Sequence, residues 1–521
     1  MRSSFQAAIS RRFILLCNTF LSEEHGYSDG SRTTLSAFLL DETLTTELRA
    51  FIGWFSVRAT SPSEDELNQL IVILGTKNPS LILRWLYFHG YTIGRTARFR
   101  EIHVTTKPVY DCTNVFSALS IHTGIPRVSR QFLTENSDLH SQCFVWSDGV
   151  MGPIDFDPHK GFSKKKTVWP NSGGFIDFSK ITQSVTAWIA RRTTSFQSRI
   201  LYYLVLSLGL FANWLLISVF RLRGPGPKVA ILPLGDIWSF ETVSADTASR
   251  YLAQLRSVPT THVSLMIYDL LPLHLPNNFV PIAVENYVHQ LRLMARCKML
   301  LTDSTHLPPV VTAAIQMMEG TTLPKISPRP LHIASKWLTS TVSRAPNKVR
   351  FLQIGALETR KNHHLTLSAF SQLLITPRTL SLVGRKVKPP RMITELIDQV
   401  NETDGVVEFH HGFSDEQIIE LSRSITAVVY PSIAEGYGLP ILEGLAMGLP
   451  VVASDIAPHR QFSEIGGIVY FDPTSVTSLK LAMEFVADPD NNWNLRSSIR
   501  FERIPADPSS WARETRLVLE A

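Results

Sequence analysis

The chemistry of this chain concentrates between Ala427 and Asp455. A buried-strand pattern, Ala427-Val428-Val429-Tyr430, leads through Pro431-Ser432 into Glu435-Gly436-Tyr437-Gly438-Leu439-Pro440 and a helix entered at Pro440. Proline suits a first helical turn, where its missing N–H costs nothing. The glycines keep side chains away, so backbone N–H groups at the helix start can approach an anion that the helix dipole also favours. A diphosphate fits that place, with Gly436, Tyr437, Gly438, Leu439 and Pro440 as its cradle. Glu443, expected in the first turn, is suited to accept hydrogen bonds from ribose hydroxyls, and Glu435 from sugar hydroxyls. An acid there also complements the dipole, but two acids flanking a Gly-rich turn favour the ligand role.

Metal chemistry finds less support. Asp155-Phe156-Asp157 has the Asp-x-Asp spacing of metal-dependent transferases, yet reads as a Gly- and Pro-flanked loop remote from this segment. His363-His364 and His410-His411 are adjacent pairs, whose side chains diverge and lack a carboxylate at ligand spacing. The expectation is no catalytic metal and no cofactor.

The elements that must position these residues follow from periodicity. After a Pro-bearing linker, Leu323 to Pro330, strands are expected at Arg350–Gly355, Thr379–Val383, Val406–Phe409, Ala427–Tyr430 and Val451–Ala453. Helices alternate with them at Asn362–Leu374, Ile393–Val400, Glu416–Ser424 and Pro440–Met447, which argues for a doubly wound parallel sheet. A second such unit opens with a strand at Lys107–Asp111, a loop through Gly124 and a helix near Ile125, and continues with strands at Val229–Pro233, Val263–Tyr268 and Met299–Thr302 and a helix at Ile282–Arg296. Residues 41–91 read as helical. The fold expected is α/β, two Rossmann-like domains facing a cleft. The divisions are a helical appendage (1–105), a first Rossmann-like domain with a hydrophobic helical insertion (106–325) and a second one (326–521).

At 521 residues the chain is long enough for two full cores. Its 44% hydrophobic and 18% charged residues are a globular balance. The net charge of +6 is spread along the sequence and does not imply nucleic acid. Cys17, Cys112, Cys143 and Cys297 are far apart, which suits reduced thiols in a cytoplasmic protein better than a disulfide framework. Arg11-Arg12 before Phe13–Cys17 loosely imitates a targeting segment, but a short helix or strand is expected. The uncharged run from Ile200 to Phe220 has the length of a membrane span. A single crossing would separate parts of one domain, and the basic flanks are symmetrical. An interfacial helix or re-entrant hairpin on the membrane and a buried core helix both remain open.

The segment from Arg350 to Pro473 resembles the retaining glycosyltransferases of family 4, whose donor domain carries two acids separated by seven residues around the same Gly-x-Gly-Leu-Pro loop. The resemblance implies a GT-B arrangement and transfer of a hexose from a nucleoside diphosphate sugar. It likens Arg360-Lys361-Asn362 to the family's segment whose cations contact the donor diphosphate, Gly384 to a loop at a strand end, and Phe413 to a loop near the base. Thr123-Gly124-Ile125-Pro126-Arg127-Val128 and Ile267-Tyr268-Asp269-Leu270-Leu271-Pro272 are similar to a bacterial subgroup that includes mannosyltransferases of surface polysaccharide assembly. That likeness puts Gly124 near the donor phosphates and Asp269 toward the transferred sugar. Glu435, Lys361, Arg360 and Asp269 are then the catalytic candidates, with a nucleotide-sugar donor, a glycan or lipid-linked acceptor, and peripheral membrane contact through 200–220. Ser454–Arg460 departs from the family's more common Pro-Glu. A binding protein without turnover and a nucleotide-sugar epimerase are the alternatives.

Overall fold

Runs of buried Val, Ile and Leu alternate with helices to build mainly parallel sheets in the computed structural model of this chain. It describes residues 2–21, 27, 29–91, 100–113, 116, 125–147, 149–157, 161–164, 227–318, 322–339, 342–384, 391–402 and 405–521. The chain forms two compact units, residues 1–265 with 280–299 and residues 266–279 with 300–521.

The first unit opens with five helices, α1 (Arg2–Phe20), α2 (Arg32–Leu40), α3 (Thr46–Arg58), α4 (Glu64–Leu74) and α5 (Pro79–Tyr91). The first is a helix of 19 residues, longer than the short element expected, because Phe5, Ile9, Phe13 and Leu16 recur at helical spacing and are buried. Its buried Arg12 guanidinium donates to the Ser56 carbonyl at 2.7 Å and the Val57 carbonyl at 3.2 Å, satisfying it without a surface position. Every residue from Arg49 to Val57 of α3 is buried, which makes this helix the centre of the block. Ser63 and Glu66 close a capping box at the start of α4.

Strand β1 (Glu101–Thr105) pairs in parallel with β6 (Val229–Pro233). A second sheet runs β8-β7-β2-β3-β4-β5, built from β2 (Val109–Asp111), β3 (Cys143–Ser147), β4 (Val150–Asp157), β5 (Gly161–Lys164), β7 (Asp236–Ser239) and β8 (His262–Ile267). Its β2, β3, β7 and β8 are parallel, while β4 and β5 are antiparallel hairpin strands. Asp155 and Asp157 therefore lie on a strand and not in a loop. Buried Ile154 and Phe156 alternate with them, as on a sheet with one face packed. Among the described residues, this unit also holds helices α6 (Ile125–Glu135), α7 (Ala245–Ser257) and α8 (Pro281–Met294). All four cysteines are free and buried. Gly124 and residues 200–220 lie outside the described residues; among those described, no helix is long and apolar enough to cross a membrane.

In the second unit, β9 (Met299–Thr302) neighbours β10 (Lys325–Pro328) and leads to α9 (Leu307–Gln316). The stretch read as a linker thus contains a strand. Its prolines are tolerated because β10 is an edge strand, where missing donors face no partner. The six-stranded sheet, order β13-β12-β11-β14-β15-β16, is parallel throughout. Its strands are β11 (Val349–Ile354), β12 (Arg378–Gly384), β13 (Gly405–His411), β14 (Ala427–Tyr430), β15 (Val451–Ser454) and β16 (Ile468–Phe471). Helices α10 (His363–Ser371), α11 (Arg391–Asn401), α12 (Asp415–Ser422), α13 (Leu439–Ala446), α14 (Val476–Ala487), α15 (Pro489–Ser497) and α16 (Pro508–Glu520) surround it. Phe351, Phe370, Leu380, Val429, Val452 and Met483 share its core. Buried Arg496 on α15 donates to the carbonyls of Ile425 at 2.9 Å and Thr426 at 3.1 Å, fixing the start of β14.

Candidate donor site

Strand order decides which loops meet. From β11 the chain moves outward to β12 and β13, then returns to place β14 on the other side of β11. That reversal is a topological switch point, where parallel sheets open a crevice at their carboxyl ends. Lys361 follows β11 and Glu435 follows β14, so the two sides of the crevice carry opposite charges.

After β11 the chain makes a single turn of 3-10 helix at Thr359–Lys361, and Asn362, at φ +54°, starts α10. The Lys361 stem lies over Gly355, with its Cδ 3.5 Å from where a side chain would begin there. Lys361 Nζ donates to Glu435 Oε1 at 2.5 Å and to the Tyr430 hydroxyl at 2.9 Å, and sits 4.9 Å from the Tyr430 ring centre. Arg360 Nη1 donates to Glu435 Oε2 at 2.9 Å, while its Nη2 reaches Glu358 at 3.0 Å. The Ile433 N–H donates to the Arg360 carbonyl at 2.9 Å, so backbone as well as charge joins the loops.

The Glu435 side chain is 8% exposed. Burial opposes its ionisation, but the charges of Lys361 and Arg360 and the Lys361 hydrogen bond prevail and hold the carboxyl down to about 2. Burial lowers the Lys361 ammonium, and Arg360 adds to that against the pull of Glu435. Arg360 is raised: burial opposes this, but Glu435 and Glu358 outweigh it. Burial raises the Tyr430 phenol well above its ordinary value, so it stays protonated and can accept from Lys361. The site is charged and desolvated, the setting in which fixed charges act most strongly on a reacting group.

The Gly-rich loop ends in Gly438, at φ +102°, as the cap of α13, with Leu439 and Pro440 in its opening turn. Helix α13 begins one residue earlier than expected, so Glu443 stands in the second turn and not the first; it is buried. Tyr437 is a structural anchor, its hydroxyl donating to the Leu331 carbonyl at 2.9 Å and its ring edge-on to Phe462. A side chain on Gly436 would strike the Tyr268 carbonyl oxygen and come within 3.3 Å of the Asp269 Cβ. The structure therefore sets Asp269 against the loop, where it also accepts from the Leu271 N–H at 3.0 Å.

At the ends of β12 and β13, the Gly412 N–H donates to the Gly384 carbonyl at 3.3 Å, and a side chain on Gly384 would strike the Gly355 carbonyl. Phe413 packs on His410 with ring centres 4.6 Å apart. Arg360, Lys361, Glu435, Gly436, Asp269 and, more peripherally, Gly384 and Phe413 are thus carried by loops that touch one another. Tyr430 and Asp303 were not singled out from the sequence. Only the neighbouring of β14 and β11 reveals that Tyr430 can hold Lys361.

Gly436→Ala is expected to cost about 1–3 kcal/mol of stability, since the obstacle is backbone that cannot swing aside. Gly412→Ala is the comparison: it faces open space and pays only for its φ of +70°. Denaturant unfolding of both variants measures this, and equal losses would contradict a tight loop at Gly436.

Residues 339–497 match the family model described as "Glycosyl transferases group 1". That segment holds Arg360, Lys361, Glu435 and Glu443. The chain is 29% identical over 129 residues to the serotype-specific mannosyltransferase WbdA of Escherichia coli, covering 24% of this chain and 16% of that protein. It is 24% identical over 266 residues to the O-antigen chain mannosyltransferase RfbU of Salmonella typhimurium, covering 49% of this chain and 70% of the relative. The chain spans about a third or less of the length of other mannosyltransferases it matches. A solved sucrose-phosphate synthase from Thermosynechococcus elongatus shares the fold, with a TM-score of 0.52 at 14% identity over 81% of this chain and 98% of that one. The fold is that of the GT-B glycosyltransferases.

Proposed function

We propose that this chain is a retaining hexosyltransferase of the family 4 type, moving a hexose, mannose favoured, from a nucleoside diphosphate sugar to a glycan or lipid-linked acceptor. The observation that carries the reading is the Glu435 carboxylate held by Lys361 and Arg360 at the switch point, beside the start of α13. Mannose is favoured because the relatives' names describe mannosyltransferases.

In this reading the donor diphosphate lies against the N–H groups at the start of α13 and within reach of Arg360 and Lys361. As the sugar–phosphate bond breaks, negative charge builds on the departing nucleoside diphosphate, and the two cations stabilise it. A departing phosphate oxygen accepts the acceptor's proton on the face where the new bond forms, which retains the anomeric configuration. Glu435 and Asp269 hold the sugar, and Glu435 offsets positive character at the anomeric carbon. Glu443 serves the ribose, and Gly124 and Gly384 leave room for the phosphates. No metal or cofactor enters the proposal, because Arg360, Lys361 and helix N–H groups supply the charge.

The division into 1–105, 106–325 and 326–521 and a cytoplasmic, membrane-peripheral location through residues 200–220 belong to the same proposal. A thermal-shift panel of GDP- and UDP-sugars tests donor choice: stabilisation by GDP-mannose above the other sugars supports it, and equal response to all would remove the preference for mannose.

A further inference from the structure

Asp303 is 2% exposed, at the carboxyl end of β9. Its N–H donates to the Ile267 carbonyl at 3.2 Å, immediately before Tyr268 and Asp269. Its carbonyl accepts from the Leu331 N–H at 3.3 Å, and the Leu331 carbonyl in turn receives the Tyr437 hydroxyl at 2.9 Å. The residue thus sits where the Asp269 segment and the Gly436–Tyr437 loop are tied together. Its Oδ1 is enclosed and has no hydrogen-bond partner among the described residues. Buried polar atoms in folded proteins are paired as a rule, and an unpaired one where the Asp269 segment meets the Gly436–Tyr437 loop calls for a partner.

The surroundings limit what that partner is. Burial, then the charges of Asp269 and Glu435, raise the Asp303 carboxyl well above its ordinary value, against the Ser304 side chain. A carboxyl whose charge is opposed in this way takes a neutral hydroxyl partner more readily than an anion. An anionic phosphate is disfavoured beside Asp269 and Glu435, and Arg360 and Lys361 bind Glu435 through its own oxygens. A neutral hydroxyl supplies Asp303 Oδ1 with a partner and adds no charge beside Asp269 and Glu435.

We propose that Asp303 reads a hydroxyl of the donor's sugar, next to Asp269, and so helps to set which sugar the site accepts. This rests on the nucleotide-sugar reading of the site, but not on turnover. The residue recognises ground-state sugar, so its effect belongs in binding.

Calorimetric titration of the full chain with GDP, GDP-mannose, UDP and UDP-glucose gives the affinity gained by adding the sugar. Asp303→Leu is expected to reduce that gain by about 3- to 10-fold, the worth of one hydrogen bond, with nucleoside diphosphate affinity within about twofold of the parent. Asp303→Asn, which keeps a donor and an acceptor, is expected to retain most of it. Should the Leu variant not fold, Asp303→Ser makes the same comparison. An unchanged gain in Asp303→Leu overturns the proposal, as does a parent that gains nothing from either sugar. A parent that binds these donors with such a gain yet transfers no sugar would refute the transferase reading alone.

Discussion

Lys361→Ala is expected to lower sugar transfer by roughly a hundredfold to a thousandfold, the usual loss when one fixed charge aimed at a developing oxyanion is removed. The Lys361 ammonium makes three contacts: Glu435 at 2.5 Å, the Tyr430 hydroxyl at 2.9 Å and the Tyr430 ring at 4.9 Å. They hold the charge in place before the donor arrives. Arg360 remains in the variant and keeps Glu435 partly compensated. The fold should therefore persist, and the fall should appear mainly in kcat. Lys361→Arg tests position against charge: it restores charge but cannot occupy the same space above Tyr430, so recovery should be small. A Lys361→Ala variant that loses only binding, with kcat unchanged, would assign the lysine to the ground state.

Glu435→Gln should have the second large effect, on both activity and stability. It removes the carboxylate that two buried cations share, a change of the kind that costs about 3–5 kcal/mol when a buried pair loses one member. Transfer should fall by at least about a hundredfold if the charge acts on the anomeric centre. The pH dependence separates the ion pair from packing. The folded carboxyl sits near 2, below its ordinary 4.5. A depressed acid stabilises the folded state above its unfolded value and loses that contribution as pH falls from about 4.5 toward 2. Denaturant unfolding of the parent should therefore show a steeper acid loss across that window than Glu435→Gln. Parallel curves would mean that Glu435 is not held ionised by Lys361 and Arg360.

How legible this was depends on whether a feature is local. Gly436, Gly438 and Pro440 are punctuation that acts within a few residues, so the strand, loop and helix around them could be placed from sequence. The parallel alternation from β11 to β15 was legible for the same reason, since each element carries its own periodicity. Glu443 moved to the second turn because Gly438 caps the helix and admits Leu439 ahead of Pro440, a one-residue shift that periodicity does not resolve. The edge strand β10 was hidden by its prolines, which signal a linker unless the sheet order is known. Tyr430 and Asp303 were hidden more deeply. Tyr430 looks like any residue ending a buried strand, and its role arises from β14 lying beside β11. Asp303 acquires meaning from Ile267 and Leu331, residues 36 and 28 positions away, whose hydrogen bonds fold it against Asp269 and Tyr437.

In the proposed function, Glu435, Arg360 and Lys361 form a charged centre for retaining sugar transfer. The most direct measurement incubates the full chain with GDP-mannose, and in parallel with UDP-hexoses, in the presence of glycan and lipid-linked acceptors, and follows both nucleoside diphosphate release and product anomer by NMR. Acceptor-dependent release with an α-linked product from an α-linked donor is predicted, and loss of both signals in Lys361→Ala. An inverted product, an epimerised free sugar nucleotide, or unchanged transfer by Lys361→Ala would rule out retaining transfer at this centre.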